Sequence, residues 1–448
     1  MTSLMDRMPS VPRSAQWNHA LVRSMTPSIT GKVQSIRGNT IVAVGLPTPV
    51  GALCTIHRRQ GDPLMAETIG FDGSLTLLAP LAVIEGINHG DPVHLNRTFR
   101  SVAVSPELVG RVLDASGNVI DSLGPIPPGT RVPCDAPPVA ALERPPIDHI
   151  LPTQVKAIDA FLTLGLGQRI GVFAGSGVGK STLLGMLARG SKADVVVIAL
   201  IGERGREVRE FLERDLAEEG RKRSVTVVAT SDQPASQRIL AAKTATAIAE
   251  SYRDDGKNVL LLMDSVTRFA MAQREVGLAA GEVPTTRGYP PSVFALLPQL
   301  VERTGKTRKG SITGIYTVLV EGDDPNEPIS DTLRGLLDGH VHLSRSIAAR
   351  GRYPAIDVLP SLSRLQSLLV SDAHREAATL LRALMAVYKE NEDLINIGAY
   401  QKGSNPGIDK AITLRNEIEA FLSQPYRENM PWSQTESELM ALAAKAKI

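Results

Sequence analysis

Residues 174–182 read Ala174-Gly-Ser-Gly-Val-Gly-Lys-Ser-Thr182, and this stretch decides the fold. It follows an apolar run, Arg169–Ala174, and precedes a stretch of helical character, Leu183–Arg189. Glycines allow successive backbone N–H groups to turn inward around a phosphate, and a helix N-terminus adds its partial positive charge. The order of strand, glycine-rich loop and helix, with a Lys-Ser pair, is that of a P-loop. It predicts an α/β domain that binds a nucleotide.

The residues of this loop have distinct expected tasks. Lys180 reaches the terminal phosphates, and the Ser181 hydroxyl binds Mg²⁺. Ala174 departs from the usual pattern, which has Gly first, but a small residue still permits the turn. We therefore predict that ATP and Mg²⁺ bind here. The predicted nucleotide-binding residues of the loop are Gly175, Ser176, Gly177, Val178, Gly179, Lys180, Ser181 and Thr182.

Two carboxylates follow other apolar runs. Asp264 ends the run Val259–Asp264, as a Walker B carboxylate does, and would hold the water shell of the metal. Glu203 comes just after the run Asp194–Ile201, at the same edge of a parallel sheet, where it can polarise the attacking water. A charge-laced helix is predicted over 206–223. Its other charged residues are read as a solvated face: Glu207, Arg209, Glu210, Glu213 and Arg214.

The chain on either side of the P-loop divides by its patterns. Residues 29–97 contain hairpin signals at Ile36–Val44 and Ile69–Leu78, which predict a small β-barrel. Residues 98–150 are rich in Pro and Gly and predict an extended connector.

The remaining segments complete the expected domain organisation. Apolar runs alternate with amphipathic stretches over 151–370, which predicts a parallel sheet covered on both faces. Helical patterns fill 371–448, over 373–388, 409–422 and 435–446. Residues 1–28 read either as a docking segment built on Trp17, Leu21 and Val22 or as a frayed tail.

Composition excludes several classes of protein. Apolar residues make up 43% and charged residues 21% of the 448 residues, which is ordinary for a globular protein. The 49 basic and 47 acidic residues nearly cancel, so no global field attracts nucleic acid or lipid. Cys54 and Cys134 are too few for a disulfide framework or a zinc site and favour a reducing cytoplasm. No window is apolar enough for a membrane span or a signal peptide.

The order of motifs along the chain resembles the type III secretion ATPase family, whose members serve the bacterial flagellum or the injectisome. That family is similar to the catalytic β subunit of F-type ATP synthase. The resemblance runs from about residue 29 to the C-terminus. The motifs are Gly175–Ser181, Gly202–Val208, Leu262–Ala270, Glu321–Asp331, Leu337–Arg345 and Tyr353–Val358.

The resemblance implies roles for particular residues. Lys180 and Ser181 match the phosphate lysine and the magnesium hydroxyl, and Asp264 matches the Walker B carboxylate. Glu203 matches the catalytic glutamate, with Arg204 beside it. Arg364 matches the arginine finger that one subunit inserts into the ATP site of its neighbour. Tyr353 and Tyr426 match the two aromatic residues that lie against adenine. Either tyrosine could instead be a packing residue.

The resemblance also implies an architecture and partners. The fold is a RecA-like P-loop core with a small N-terminal β-barrel and a C-terminal helical domain. The active unit is a homo-hexamer whose ATP hydrolysis energises type III protein export by unfolding or releasing substrates and chaperones. The implied partners are a stator-like regulator, a central stalk protein, the export gate, export chaperones and secreted substrates. The ring is expected in the cytoplasm, held by partners at the inner face of the inner membrane.

Other readings stay open at this point. One is a subunit of another rotary ATPase, catalytic or noncatalytic; a noncatalytic subunit would keep the P-loop but lack the catalytic glutamate that Glu203 matches. A ring-shaped RNA translocase resembling Rho would need stacking aromatics in the barrel, yet 29–97 holds only Phe71. The basic cluster Arg303–Lys309 is a solvated loop or a pore lining. The loop Ile397–Asp409 replaces the acidic loop of the synthase, and Gln154 stands where the family usually has Gly.

Overall fold

The computed structural model describes residues 29–320 and 327–447. The segment 1–28, with its predicted docking residues, and the first part of the motif Glu321–Asp331 lie outside the described residues. The chain divides into two compact units after Phe99. No helix in the described ranges is both long and apolar enough to cross a membrane.

In the described part of the first unit, antiparallel strands close into a small barrel, which confirms the predicted β-barrel. Gly38 and Gly73 take positive φ in the turns of the two predicted hairpins, a conformation that glycine adopts without steric cost. The barrel strands are Thr30–Arg37, Thr40–Val44, Leu53–Ile56, Leu64–Asp72, Leu75–Pro80 and Pro92–Arg97. Inside the barrel, Cys54 packs with Val33, Ile41, Ile56, Leu78 and Val93.

The second unit is built on one large sheet, whose central strands are parallel, as predicted. The spatial order of its strands is Ile356–Ser363, Gly339–Leu343, Arg169–Ala174, Ser311–Leu319, Asn258–Asp264, Val195–Glu203, Ser224–Thr230 and Val112–Asp114. Outside this order, Gly305–Lys306 pairs with Ser311–Leu319, and Ser101–Val104 pairs with Thr130–Pro133.

Helices cover both faces of this sheet. The α-helices are Lys156–Phe161, Lys180–Gly190, Gly205–Glu210, Ala217–Arg221, Ala235–Asp254, Val266–Ala279, Pro291–Glu302, Pro328–Leu336, Arg345–Ala349, Gln366–Leu369, Asp372–Asn396, Pro406–Leu422 and Trp432–Lys447. Short 3₁₀ turns occur at Pro106–Leu108, Ala141–Glu143 and Thr286–Gly288.

The strand Val195–Glu203 shows why the predicted strands are apolar almost throughout. Successive side chains of a strand point to opposite faces. Val196, Ile198 and Leu200 therefore pack in the core on one face, while Val197 and Ala199 pack in the core on the other. This strand is buried on both faces and carries no charged side chain until it reaches the edge of the sheet, where Glu203 ends it.

Segments outside 151–370 contribute to this unit. The short strand Val112–Asp114, from the Pro- and Gly-rich stretch, extends the sheet beside Ser224–Thr230. The three C-terminal helices place Leu381, Ile418 and Leu439 in the same core cluster as the P-loop helix Lys180–Gly190.

The predicted continuous helix over 206–223 is wrong. The structure has Gly205–Glu210, a single π-helical turn at Phe211–Asp215 and a further short helix, Ala217–Arg221. Ala217 takes a φ of 52°, which a helix interior does not allow. The pattern of charges does not reveal this interruption of the helix, because exposed residues carry little information about the register of the backbone hydrogen bonds.

The prediction of a solvated loop at Arg303–Lys309 is wrong for its first residue. Arg303 is buried and makes an ion pair with Glu250, Nη2 to Oε2 at 2.5 Å, and it also donates to the carbonyl of Cys134. Lys306, three residues further along the chain, makes an ion pair with Asp148. Only the tip of the hairpin, at Arg308 and Lys309, is exposed.

Gln154 occupies the left-handed backbone region, with a φ of 62°, that favours glycine. This conformation explains why the family usually has Gly there. The buried carboxylate of Asp159 holds the turn: Oδ2 accepts from the Gln154 backbone N–H at 2.9 Å, and Oδ1 accepts from the backbone and hydroxyl of Thr153. The local geometry therefore survives the substitution of the glycine.

The stability of the fold should depend on pH through Asp159. Burial raises the pKa of this carboxyl to about 7, although its hydrogen bonds from Thr153 and Gln154 act in the opposite direction. Since the folded pKa lies above the unfolded value of about 4, the free energy of unfolding falls as pH rises between those values. We expect the stability advantage of the wild type over Asp159→Asn to be about 2–3 kcal/mol larger at pH 5 than at pH 7.5.

Urea unfolding at the two pH values measures this difference. Asp372→Asn, at an exposed carboxyl, is the matched control and should show no such change. An advantage that is equal at both pH values would mean that Asp159 ionises normally in the folded chain.

Candidate active site

The P-loop joins the strand Arg169–Ala174 to the helix Lys180–Gly190. Gly177 and Gly179 take φ values of 78° and 87°, which only glycine adopts without strain. Ala174 is the last residue of the strand and has no positive φ, so a side chain is tolerated where the usual pattern has Gly. The helix begins at Lys180, directly after the loop, and its N-terminal N–H groups face the loop.

Three charged side chains meet at this edge of the sheet. Lys180 Nζ lies 2.6 Å from Asp264 Oδ1 and 3.2 Å from Glu203 Oε1. All three side chains are largely buried. Both carboxylates are the final residues of their strands, Val195–Glu203 and Asn258–Asp264. The carboxyl ends of parallel strands meet at one edge, and this brings residues 84 positions apart into contact.

The charges of this cluster perturb one another. Burial lowers the pKa of Lys180, but the carboxylates of Asp264 and Glu203 outweigh burial, and the pKa is raised. Lys180 therefore stays an ammonium ion. Burial raises the pKa of Glu203, and the negative charge of Asp264 raises it further against the opposing effect of Lys180. A carboxylate with a raised pKa is a stronger base than an exposed one.

Thr317 is a contributor that the sequence did not reveal. Its Oγ1 donates to Asp264 Oδ1 at 2.7 Å, and its side chain is fully buried on the neighbouring strand Ser311–Leu319. Lys180 donates to the same oxygen. Thr317 lies inside an apolar strand, where a threonine is ordinary, so no signal marked it. Its hydroxyl fixes the orientation of the Asp264 carboxylate.

We expect Thr317→Val, which keeps the shape but removes the hydroxyl, to lower kcat about tenfold, the effect of losing one hydrogen bond to a charged group. Thr317→Ser retains the donor and should restore most of the rate. Phosphate release gives kcat, and a fluorescent ATP analogue shows whether binding is unchanged. A Thr317→Val protein with wild-type kcat would remove the threonine from this role.

Glu207 belongs partly to the site, contrary to its prediction as a solvated charge. The turn from strand to helix brings its side chain back against Glu203. Burial acts to raise the pKa of Glu207, but the hydrogen bond from Glu203 and the charge of Arg204 outweigh it, and the pKa is lowered. Arg204 itself points outward: its side chain is 76% exposed and pairs with Glu207 at 3.1 Å. The structure does not bring Arg204 into contact with Lys180 or Asp264.

Tyr353 lies beside the P-loop, whereas the backbone of Tyr426 lies at the far end of the P-loop helix. A Cβ on Gly179 would be 3.5 Å from the Tyr353 ring. The Tyr353 carbonyl accepts from the backbone of Gln424 at 2.9 Å, which holds the two tyrosine segments together. Arg189, on the P-loop helix, donates to the carbonyl of Tyr426. Both rings are partly exposed and so are open to a flat ligand.

Arg364 lies at the opposite edge of the sheet. Ser363 pairs with Gly339, at the start of the strand Gly339–Leu343, whereas Leu343, at its end, pairs with Ala174 at the P-loop. Gly339 and Leu343 are four residues apart along this strand, which corresponds to about 13 Å. Arg364 is exposed, and its Nη2 donates to the Arg334 carbonyl at 3.2 Å. It is not brought together with Lys180 or Glu203 of its own chain.

The residues fit a magnesium ion that is shared with a nucleotide. Mg²⁺ takes oxygen ligands, usually one or two from protein, and keeps waters and phosphates for the rest. Ser181 Oγ makes no hydrogen bond within the described chain, so its lone pairs are free, and Asp264 lies at the same edge. The described residues contain no group of three or more His, Cys, Asp or Glu side chains that could hold a metal ion without a nucleotide.

Comparisons with known proteins agree with this geometry. The ATP synthase alpha/beta family, nucleotide-binding domain, matches residues 154–363, and the T3SS EscN ATPase C-terminal domain matches residues 370–441. The flagellum-specific ATP synthase of Bacillus subtilis is 52% identical over 88% of this chain and 90% of its own. The type 3 secretion system ATPase of Xanthomonas euvesicatoria is 51% identical over the same shares.

A solved structure extends the likeness to three dimensions. The assembled ATPase EscN from the type III secretion system of enteropathogenic E. coli superposes with a TM-score of 0.86 at 44% identity, over 92% of this chain and 100% of EscN. A second structure shows EscN in complex with its central stalk EscO. With identities near one half over most of its length, this chain belongs to the family of flagellum-specific ATP synthases and type 3 secretion system ATPases.

Proposed function

We propose that this chain hydrolyses ATP with Mg²⁺ in a ring of six identical subunits and that this reaction energises type III protein export, in a flagellum or an injectisome. One observation carries the proposal: Lys180, Glu203 and Asp264 converge within 3.2 Å beside the P-loop. Phosphoryl transfer to water requires a cation that binds the phosphates, a base that acts on the attacking water and a carboxylate that holds the metal ion.

Each residue has a task in this reaction. The P-loop amides and Lys180 bind the β- and γ-phosphates, and Lys180 leaves its carboxylate partners to do so. Glu203 accepts a proton from the attacking water and orients it, with Arg204 beside it at the mouth of the site. Ser181 and Asp264 would hold Mg²⁺, which would supply positive charge to offset that of the phosphates. Tyr353 and Tyr426 would enclose the adenine between their exposed faces.

The position of Arg364 supports the proposed ring. An arginine at the far edge of the sheet cannot reach the phosphates of its own chain, but it can enter the site of a neighbour. EscN has been solved as an assembled ATPase, which supports a ring of this kind.

The proposed partners follow from the family. A central stalk protein would occupy the middle of the ring, as EscO accompanies EscN. A stator-like regulator, the export gate, export chaperones and secreted substrates would complete the machinery, at the cytoplasmic face of the inner membrane. Nucleic acid is not expected as a partner.

Two measurements test this function. Phosphate release from Mg-ATP should be readily detected for the purified chain and lost in Lys180→Ala, while Lys222→Ala, at an exposed lysine paired with Glu218, should be unaffected. Deleting the gene should then stop flagellar assembly or effector secretion. Hydrolysis without any export defect would limit the proposal to ATP turnover, and absence of hydrolysis would overturn it.

A further inference from the structure

A cavity of about 380 Å³ lies away from the P-loop, beneath two C-terminal helices. It is open to solvent and is lined by the segment 346–360 on one side and by Asp372–Asn396 and Pro406–Leu422 on the other. Its volume is within the range of about 300–1,000 Å³ that is usual for small-molecule pockets. The proposed hydrolysis makes no use of it.

The interior of the cavity is apolar. Val358, Leu384, Tyr388, Ile418 and Leu422 line it and are themselves buried. The buried ring of Tyr388 closes the wall beneath the guanidinium of Arg415. The cavity therefore suits a ligand with a compact apolar body.

Charged side chains also line the cavity, and their signs do not balance. There are four cations and three carboxylates, an excess of one positive charge. The cations are Arg350, Arg352, Lys389 and Arg415, and the carboxylates are Asp357, Glu392 and Glu419.

Five of these charges form ion pairs among the described residues, Asp357 accepts the backbone N–H of Leu359 at 3.2 Å, and Arg415 has no such partner. Glu392 pairs with Arg350 at 3.2 Å and with Lys389 at 2.8 Å, and Glu419 pairs with Arg352 at 2.9 Å. Arg415 makes no hydrogen bond or ion pair within the described chain. Its guanidinium lies 4.2 Å from the centre of the Tyr388 ring. A cation held over the aromatic wall, with its hydrogen-bond donors free, is a natural partner for an anionic head group.

We propose that this cavity is a binding site for a small amphipathic monoanion, an aromatic body that carries one carboxylate or sulfonate. The aromatic body lies on the aliphatic wall of Val358, Leu384 and Ile418, and the anionic group accepts hydrogen bonds from Arg415. One negative charge removes the local excess, which a neutral or dianionic ligand would not do.

The site is placed to influence the nucleotide. The segment that lines one side, which includes Arg350 and Arg352, continues directly into Tyr353, whose ring lies beside Gly179 of the P-loop. The C-terminal helices form the other side. A ligand that fills the cavity therefore fixes the position of these helices relative to the strand Ile356–Ser363, which leads to Arg364.

Anilinonaphthalene sulfonate is a suitable probe, because it is an aromatic monoanion whose fluorescence rises in an apolar site. With the full chain and saturating Mg-ADP to occupy the P-loop, we expect saturable binding of one dye per chain. Arg415→Met should weaken that binding about tenfold, the effect of losing a charged hydrogen bond. Ser346→Trp, which places a large ring at an exposed position of the lining, should abolish it.

Two controls decide the chemistry. Arg375→Met removes a cation from the same helix bundle outside the cavity and should leave dye binding unchanged. Phenylnaphthylamine, the uncharged analogue, should bind at least about tenfold more weakly to the wild type and be insensitive to Arg415→Met. Dye binding that survives both Arg415→Met and Ser346→Trp would overturn the proposal, as would equal affinity for the two compounds.

Discussion

Glu203→Gln should lower ATP turnover by about two to four orders of magnitude, which is the usual contribution of a general base. Glutamine keeps the size of the side chain but cannot accept the proton of the attacking water. ATP should still bind, because the P-loop amides and Lys180 are unchanged, and Lys180 is freed from one of its two carboxylate partners. Phosphate release measures turnover, and a fluorescent ATP analogue measures binding.

The pH profile gives an independent readout of Glu203. Burial and the charge of Asp264 raise its pKa, and the base acts only when it is ionised. The acid limb of kcat/KM, which reports the free enzyme, should therefore fall at a pH above the ordinary glutamate pKa of about 4.3. Glu210→Gln, at an exposed carboxylate paired with Arg206, serves as the control and should keep the wild-type rate and profile. Wild-type turnover in Glu203→Gln would exclude Glu203 as the base.

Arg364→Ala should slow hydrolysis at least a hundredfold, in line with the effect of about 10³–10⁵ for arginine fingers. In the transition state, charge spreads over the γ-phosphoryl oxygens, and a guanidinium that reaches them stabilises it. Nucleotide binding and assembly should persist, because Arg364 is exposed and its side chain makes a single hydrogen bond, to a carbonyl, within the part of the chain that the structure describes. Sedimentation and phosphate release on the same samples check both statements.

Mixing variants shows whether the site is shared. Rings of Arg364→Ala and Glu203→Gln subunits in equal amounts should regain turnover, since roughly a quarter of random interfaces join an intact glutamate to an intact arginine. As a control, Arg375→Ala subunits mixed in the same way should not change ATP turnover. Full activity of dilute, monomeric wild-type protein would contradict a site completed by a neighbour.

The sequence predicted what apolar periodicity and glycine patterns encode. The strand Val195–Glu203 was visible because burial on both faces demands a continuous apolar run. The barrel was visible because Gly38 and Gly73 mark its turns. Asp264 could be placed at the edge of the sheet because its run of leucines ends there.

What the sequence could not predict depends on contacts between distant segments. Thr317 touches Asp264 only because their strands are neighbours, and a threonine in an apolar strand carries no mark of that contact. Glu207 looks like other charges of its helix until the turn folds it against Glu203. Arg303 looks solvated until Glu250, on another helix, neutralises it in the core. In each case the partner, and not the residue itself, decides the environment.

The two cysteines have a practical consequence. Both are free and buried, one in each unit, and burial raises the pKa of each thiol. Because the thiolate is the reactive species, maleimides should modify the folded chain only slowly. A single cysteine introduced at the surface would then be the fast-reacting thiol, so fluorophores or cross-linkers can be attached at chosen positions without first removing Cys54 and Cys134.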